Sequence, residues 1–206
     1  MGESKAQIVR AASLVMALFV VSRVAGLIRQ MVIGTMFGTS GELDAYMAAS
    51  RIPEMIFLVV AGGALGSAFI PTFTALLTQE GSRAAWRLAS AVVNLVILAL
   101  IGLAAVTAIL APLAVRTVIA PGFSIEQQAL TVRLLRVMLL SSVIFGASGL
   151  VMGALNAHQH FLLPALAPTV YNLAIIAGGL LLGPRMGVMG LAVGVTVGAC
   201  LHLLVQ

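Results

Sequence analysis

The stretch "SRVAGLIRQ" (22–30) places two arginines, Arg23 and Arg29, inside the first long apolar run of the chain. A guanidinium is permanently charged, and its planar fork of N–H donors matches the oxygens of a phosphate or a carboxylate. In hydrocarbon such a group is costly, roughly 2.5–3.5 kcal/mol at the centre of a span. It persists where it faces a bundle interior or a wet cavity. A six-residue spacing separates the two by about 9 Å along a helix and about 240° around it. They share a face only if the helix bends, and Gly26 lies between them.

A second set follows. Asp44, Arg51 and Glu54 are spaced by seven and then three residues, which places them on one helix face. Each of these residues also has a plainer reading. Asp44, after "GTSGE", is placed to cap a helix N-terminus. Arg51 and Glu54 are spaced for an intrahelical ion pair. Arg29 is able to snorkel to an interface, and Arg23 to lie against a carboxylate in a structural role. The charge count favours a cationic cavity for an anionic ligand. Six acids face eleven bases, and Glu3, Glu42, Glu80 and Glu126 fall at segment ends or in loops. A pyrophosphate or carboxylate would supply the missing anion.

Catalysis finds little support. The chain carries no HExxH, GxSxG or P-loop pattern. His158 and His160 sit two residues apart in a short polar stretch, which reads as a solvated loop sooner than a metal site. Neither a metal nor a cofactor is expected. The net charge of +5 is spread without a basic cluster, so nucleic acid is not an expected partner. The single cysteine, Cys200, implies no disulfide framework.

The elements that hold these groups follow from composition. The chain is 61% hydrophobic and 8% charged over 206 residues, against about 45–50% and about 25% in soluble domains. It has too little polar surface to cover a water-soluble globule, so the expected class is an all-α polytopic membrane helix bundle. Six apolar segments are long enough to span a bilayer: 8–37, 44–77, 85–118, 127–155, 161–182 and 186–205. Turn-rich separators part them, among them "TQEGSR" (78–83), "APGFS" (120–124) and "GPRMG" (183–187). Lys5, Arg10, Arg83 and Arg87 favour a cytoplasmic N-terminus. The basic start lacks a small-residue cleavage site, so no cleavable signal peptide is expected. Gly190, Gly194 and Gly198 repeat every four residues, which allows close helix packing in lipid. Interior prolines such as Pro53, Pro112 and Pro168 kink helices and free backbone carbonyls.

Several stretches, in order, resemble the MurJ/MviN family, lipid II flippases of the MOP exporter superfamily: "SRVAGLIRQMVIGTMFG" (22–38), "DAYMAASRIPE" (44–54), "GGALGSAFIPTF" (62–73), "APGF" (120–123) and "GALNAHQHFLLPALAPTVYN" (153–172). The resemblance implies a transporter, not an enzyme. Such proteins carry an undecaprenyl-pyrophosphate-linked peptidoglycan precursor across the bacterial cytoplasmic membrane, between two lobes that alternate in access. It implies that Arg23 and Arg29 bind the pyrophosphate and that Asp44 matches the aspartate opening the family's second helix. Arg51 is the candidate replacement for an absent family arginine, because Phe57-Leu58 stand where the family has Arg-Arg. Gly62-Gly63-Ala64 stand where it has Glu-Gly-Ala. The six segments match one lobe only, residues 1–206 forming a single transmembrane unit. Truncation, a second chain or a homodimer would account for the missing lobe, and truncation is the expectation. The alternatives are another polyprenyl-pyrophosphate oligosaccharide flippase and a non-transporting membrane scaffold. A drug exporter of organic cations would favour buried acids over arginines. A polyprenyl-phosphate transferase would need clustered acids for a metal.

Overall fold

The computed structural model describes residues 2–59 and 69–206, with side chains from Ser13 onward. Every regular element among them is helical: α1 (Gly2–Phe37), α2 (Gly41–Val59), α3 (Ile70–Gln79), α4 (Ser82–Ala114), α5 (Ile125–Ala157), α6 (Leu162–Ala177), α7 (Gly183–Met186) and α8 (Met189–Val205). α4 runs on through a π-helical turn, Val115–Ile119, and α6 through another, Gly178–Leu182. Helix lies in each of the six apolar segments. The second, 44–77, holds α2 and α3 at its two ends. Its middle, with Gly62-Gly63-Ala64, lies outside the described residues.

Four helical stretches are long and apolar enough to cross a membrane: Ser13–Phe37, Ser82–Ile119, Ile125–Ala157 and Leu162–Met186. A fifth, Met189–Val205, is apolar and shorter. The chain is an integral membrane helix bundle. α5 is its centre, with 56% of its apolar window buried against 11% for α1 and 6% for α4. The two outer helices therefore leave most of their surface uncovered by the other described helices. α2, α4 and α8 pack on α5, α6 packs on α8, and α1 lies along α6. Ala45, Ala49, Leu134, Leu135, Leu139, Ile175 and Leu191 fill the main core, and Phe73, Ala85 and Leu150 fill a second at the α3–α4 end.

Three local features hold this arrangement. Ser124 starts α5 with a capping box: its Oγ accepts from the Gln127 N–H at 3.2 Å, and Gln127 Oε1 accepts from the Ser124 N–H at 3.1 Å. The glycine stripe of α8 lets it meet α6 backbone to backbone. A Cβ on Gly194 would sit 3.0 Å from the Ala174 carbonyl and the Ile175 Cα, and one on Gly178 would sit 2.6 Å from the Gly190 carbonyl. The third is a repair. Pro112 has no N–H to offer the carbonyl four residues back, that of Ala108. Arg136 of α5 donates its Nε–H to that carbonyl at 3.0 Å.

Candidate functional site

α1 and α6 are joined near the first arginine pair. Asn172 of α6 donates through Nδ2 to the Ser22 carbonyl at 3.4 Å and to the Pro168 carbonyl at 3.0 Å. A Cβ on Gly26 would meet the Asn172 amide at 3.7 Å, so α1 approaches closely here. Ser22, Ala25, Gly26, Arg29 and Ile33 recur at helical spacing, and this stripe is the inward face of α1; Ala25 and Ile33 are buried. Arg29 falls on it and is half-buried, with its Nε enclosed and lacking a hydrogen-bond partner. Arg23 stands about 100° around the helix from Ser22 and is exposed. The helix does not bring the two arginines to a common face.

Arg29 has other company. The Tyr46 phenol of α2 and the Tyr171 phenol of α6 each lie within electrostatic reach of its guanidinium and of the Glu54 carboxylate of α2. Tyr46 is buried and Tyr171 half-buried. An aromatic ladder steadies the group. The Tyr171 ring meets Phe145 of α5 edge-on at 5.1 Å, and Phe145 meets Phe57 of α2 at 5.1 Å. Phe57, which stands where the resemblance leads one to expect an arginine, thus packs as an aromatic contact.

Sequence reading missed Tyr46 and Tyr171, although the signal was present. They are the only two tyrosines of the chain. Each sits in an apolar run, where a phenol needs a polar neighbour.

Asp44, Arg51 and Glu54 share the exposed face of α2, as their spacing predicts. The plainer readings fare differently. Ser40 caps α2, its Oγ accepting from the Leu43 N–H at 3.3 Å, and Asp44 lies in the first turn beyond it. Among the described residues Arg51 and Glu54 form no ion pair, and neither do Arg23 and Arg29 with either acid. Depth can be read from the α1–α2 turn. Arg29 lies eight residues before Phe37, and Arg51 ten beyond Gly41, about 12 and about 15 Å along their helices. Glu54 and Arg23 follow at about 20 and about 21 Å, and Asp44 at about 4.5 Å. On α1 and α2, three guanidiniums and one carboxylate therefore lie about 12–21 Å from that turn. Asp44 stands close to the turn. Among the described residues no three His, Cys, Asp or Glu side chains gather as metal ligands.

Residues 33–206 match the family model described as lipid II flippase MurJ. Arg23 and Arg29 lie just before that match. The lipid II flippase MurJ of Burkholderia cenocepacia is 34% identical over 90% of this chain and 36% of its own. A probable lipid II flippase MurJ of Rhizobium tropici is 34% identical over 76% of this chain and 30% of its own. A solved lipid II flippase MurJ in an inward closed conformation superposes with a TM-score of 0.80 at 27% identity, covering 93% of this chain and 40% of that one. The chain thus spans 30–40% of the length of these relatives.

Proposed function

This chain belongs to the MurJ family, and on that premise we propose that it forms one lobe of a flippase for an undecaprenyl-pyrophosphate-linked peptidoglycan precursor, lipid II. Its membrane is the bacterial cytoplasmic membrane, with the N-terminus on the cytoplasmic side. A second helical lobe, in the same or another chain, completes the transporter, because alternating access needs two halves rocking about a central site.

The observation that carries the reading is the charge on α1 and α2: the guanidiniums of Arg23, Arg29 and Arg51 against the Glu54 carboxylate, with Asp44 nearer the turn and the Arg29 Nε enclosed and unpartnered. A diphosphate matches the charge and donor geometry of such a site. Arg29 binds it from the bundle face, and the Tyr46 and Tyr171 hydroxyls donate to its oxygens. Arg23 and Arg51, exposed on this lobe, approach the headgroup from the side that a second lobe closes. Asp44, close to the turn, accepts from sugar hydroxyls as the headgroup passes. The step makes and breaks no covalent bond, so the protein acts as a transporter and not as an enzyme.

The test is complementation. The full-length protein containing this chain is expressed in bacteria depleted of their own lipid II flippase, and translocated lipid II is measured at the outer leaflet. Wild type restores translocation. Arg29→Ala and Arg23→Ala abolish it at equal membrane abundance. Translocation that persists in both variants refutes the binding role.

A further inference from the structure

Beside the start of α4 and the end of α5 lies a half-open cleft of about 370 Å³, lined also by Gln206, that has no part in the arginine site. Its walls are apolar, with Val93 of α4 and Leu150 and Val151 of α5. Its rim is different. Trp86 stacks over the His158 ring at 6.2 Å and 24°, and Phe73 packs against both, at 5.7 and 5.8 Å. The His158 Nδ1 lies 2.9 Å from the Ala154 carbonyl. A carbonyl only accepts, so Nδ1 carries the hydrogen and Nε2 is left for the rim.

Gln159 follows with φ at 62°, a left-handed conformation that disfavours residues other than glycine. The His160 N–H closes this turn on the Leu155 carbonyl at 2.9 Å, and His160 joins the cavity lining. Arg83 and Arg87, four residues apart on α4, flank Trp86. Both are exposed, and neither pairs with an acid among the described residues.

A half-exposed tryptophan at the start of a long apolar helix marks the membrane–water boundary. An apolar cleft at that depth, with His160 in its lining and Arg83 and Arg87 near Trp86 on α4, has the chemistry of an anionic lipid site. We propose that this cavity binds an anionic phospholipid of the surrounding membrane, its acyl chain along Val93, Leu150 and Val151 and its phosphate against His160, Arg83 and Arg87. The site is separate from the transport site and does not depend on what is transported.

Trp86 is the only tryptophan of the chain, so its fluorescence reports this cavity directly. The full-length protein is reconstituted, with any tryptophan elsewhere replaced by phenylalanine, in vesicles containing phosphatidylglycerol or phosphatidylcholine brominated near the headgroup end of the acyl chain. Quenching by the anionic lipid is expected to exceed that by the zwitterionic lipid by roughly fivefold in apparent affinity. Arg87→Gln with His160→Gln, both at exposed positions, brings the two lipids to parity. Val93→Phe with Val151→Phe fills the cavity, keeps every charge and also removes the preference. Equal quenching by both lipids in wild type overturns the proposal, and so does absence of quenching. A preference that survives cavity filling overturns it too, because surface charge alone then explains the selection.

Discussion

The Arg136–Pro112 contact makes a quantitative test of how this bundle uses its arginines. The proline leaves the Ala108 carbonyl without its helical donor, and the Arg136 Nε supplies one at 3.0 Å. A hydrogen bond from a charged donor contributes about 1.5–3 kcal/mol. Arg136 is exposed, which places its contribution at the lower end, about 1.5 kcal/mol. Arg136→Met keeps the apolar stem and removes the donor, so it costs about that amount. In a Pro112→Ala background the new N–H at residue 112 closes the helix onto the Ala108 carbonyl. The same Arg136→Met change then costs roughly 0.5 kcal/mol or less, for a coupling of about 1 kcal/mol. The assay is reversible unfolding in mixed micelles, following helicity for the four proteins of the cycle. Equal costs of Arg136→Met in the two backgrounds would refute the repair and return Arg136 to the pool of arginines available to a ligand.

Two further outcomes follow from packing and capping. Gly194→Val drives a branched side chain into the α6 backbone, 3.0 Å from where its Cβ would stand, and should lower stability by about 1–3 kcal/mol or more in the same unfolding assay. Ser124→Ala removes the capping box of α5 and should cost about 1 kcal/mol, visible as faster amide exchange in the first turn of that helix.

Much of the architecture was legible because hydrocarbon imposes simple rules. Apolar runs of sufficient length become helices, and the glycine spacing of 190, 194 and 198 marks the α6–α8 contact, where side chains larger than hydrogen do not fit. The start of α5 was also readable, since Ser124 and Gln127 form an S-x-x-Q pair. The charged face of Asp44, Arg51 and Glu54 follows from helical spacing alone. The partners of Arg29 do not. Tyr46 and Tyr171 come from helices far apart in sequence, and only the packing of α1 on α6 and of α2 on α5 brings them near the guanidinium. The role of Arg136 is hidden for a related reason, since it depends on a proline on another helix.

The central claim is that Arg29 remains in the bundle as half of an ion pair whose other half is a lipid diphosphate. Its most direct measurement is the affinity of the protein in nanodiscs for undecaprenyl pyrophosphate and undecaprenyl monophosphate, for wild type and Arg29→Gln. The account predicts tighter binding of the diphosphate by wild type and a loss of about tenfold to a hundredfold in Arg29→Gln. Equal diphosphate affinity in the two folded proteins would contradict it.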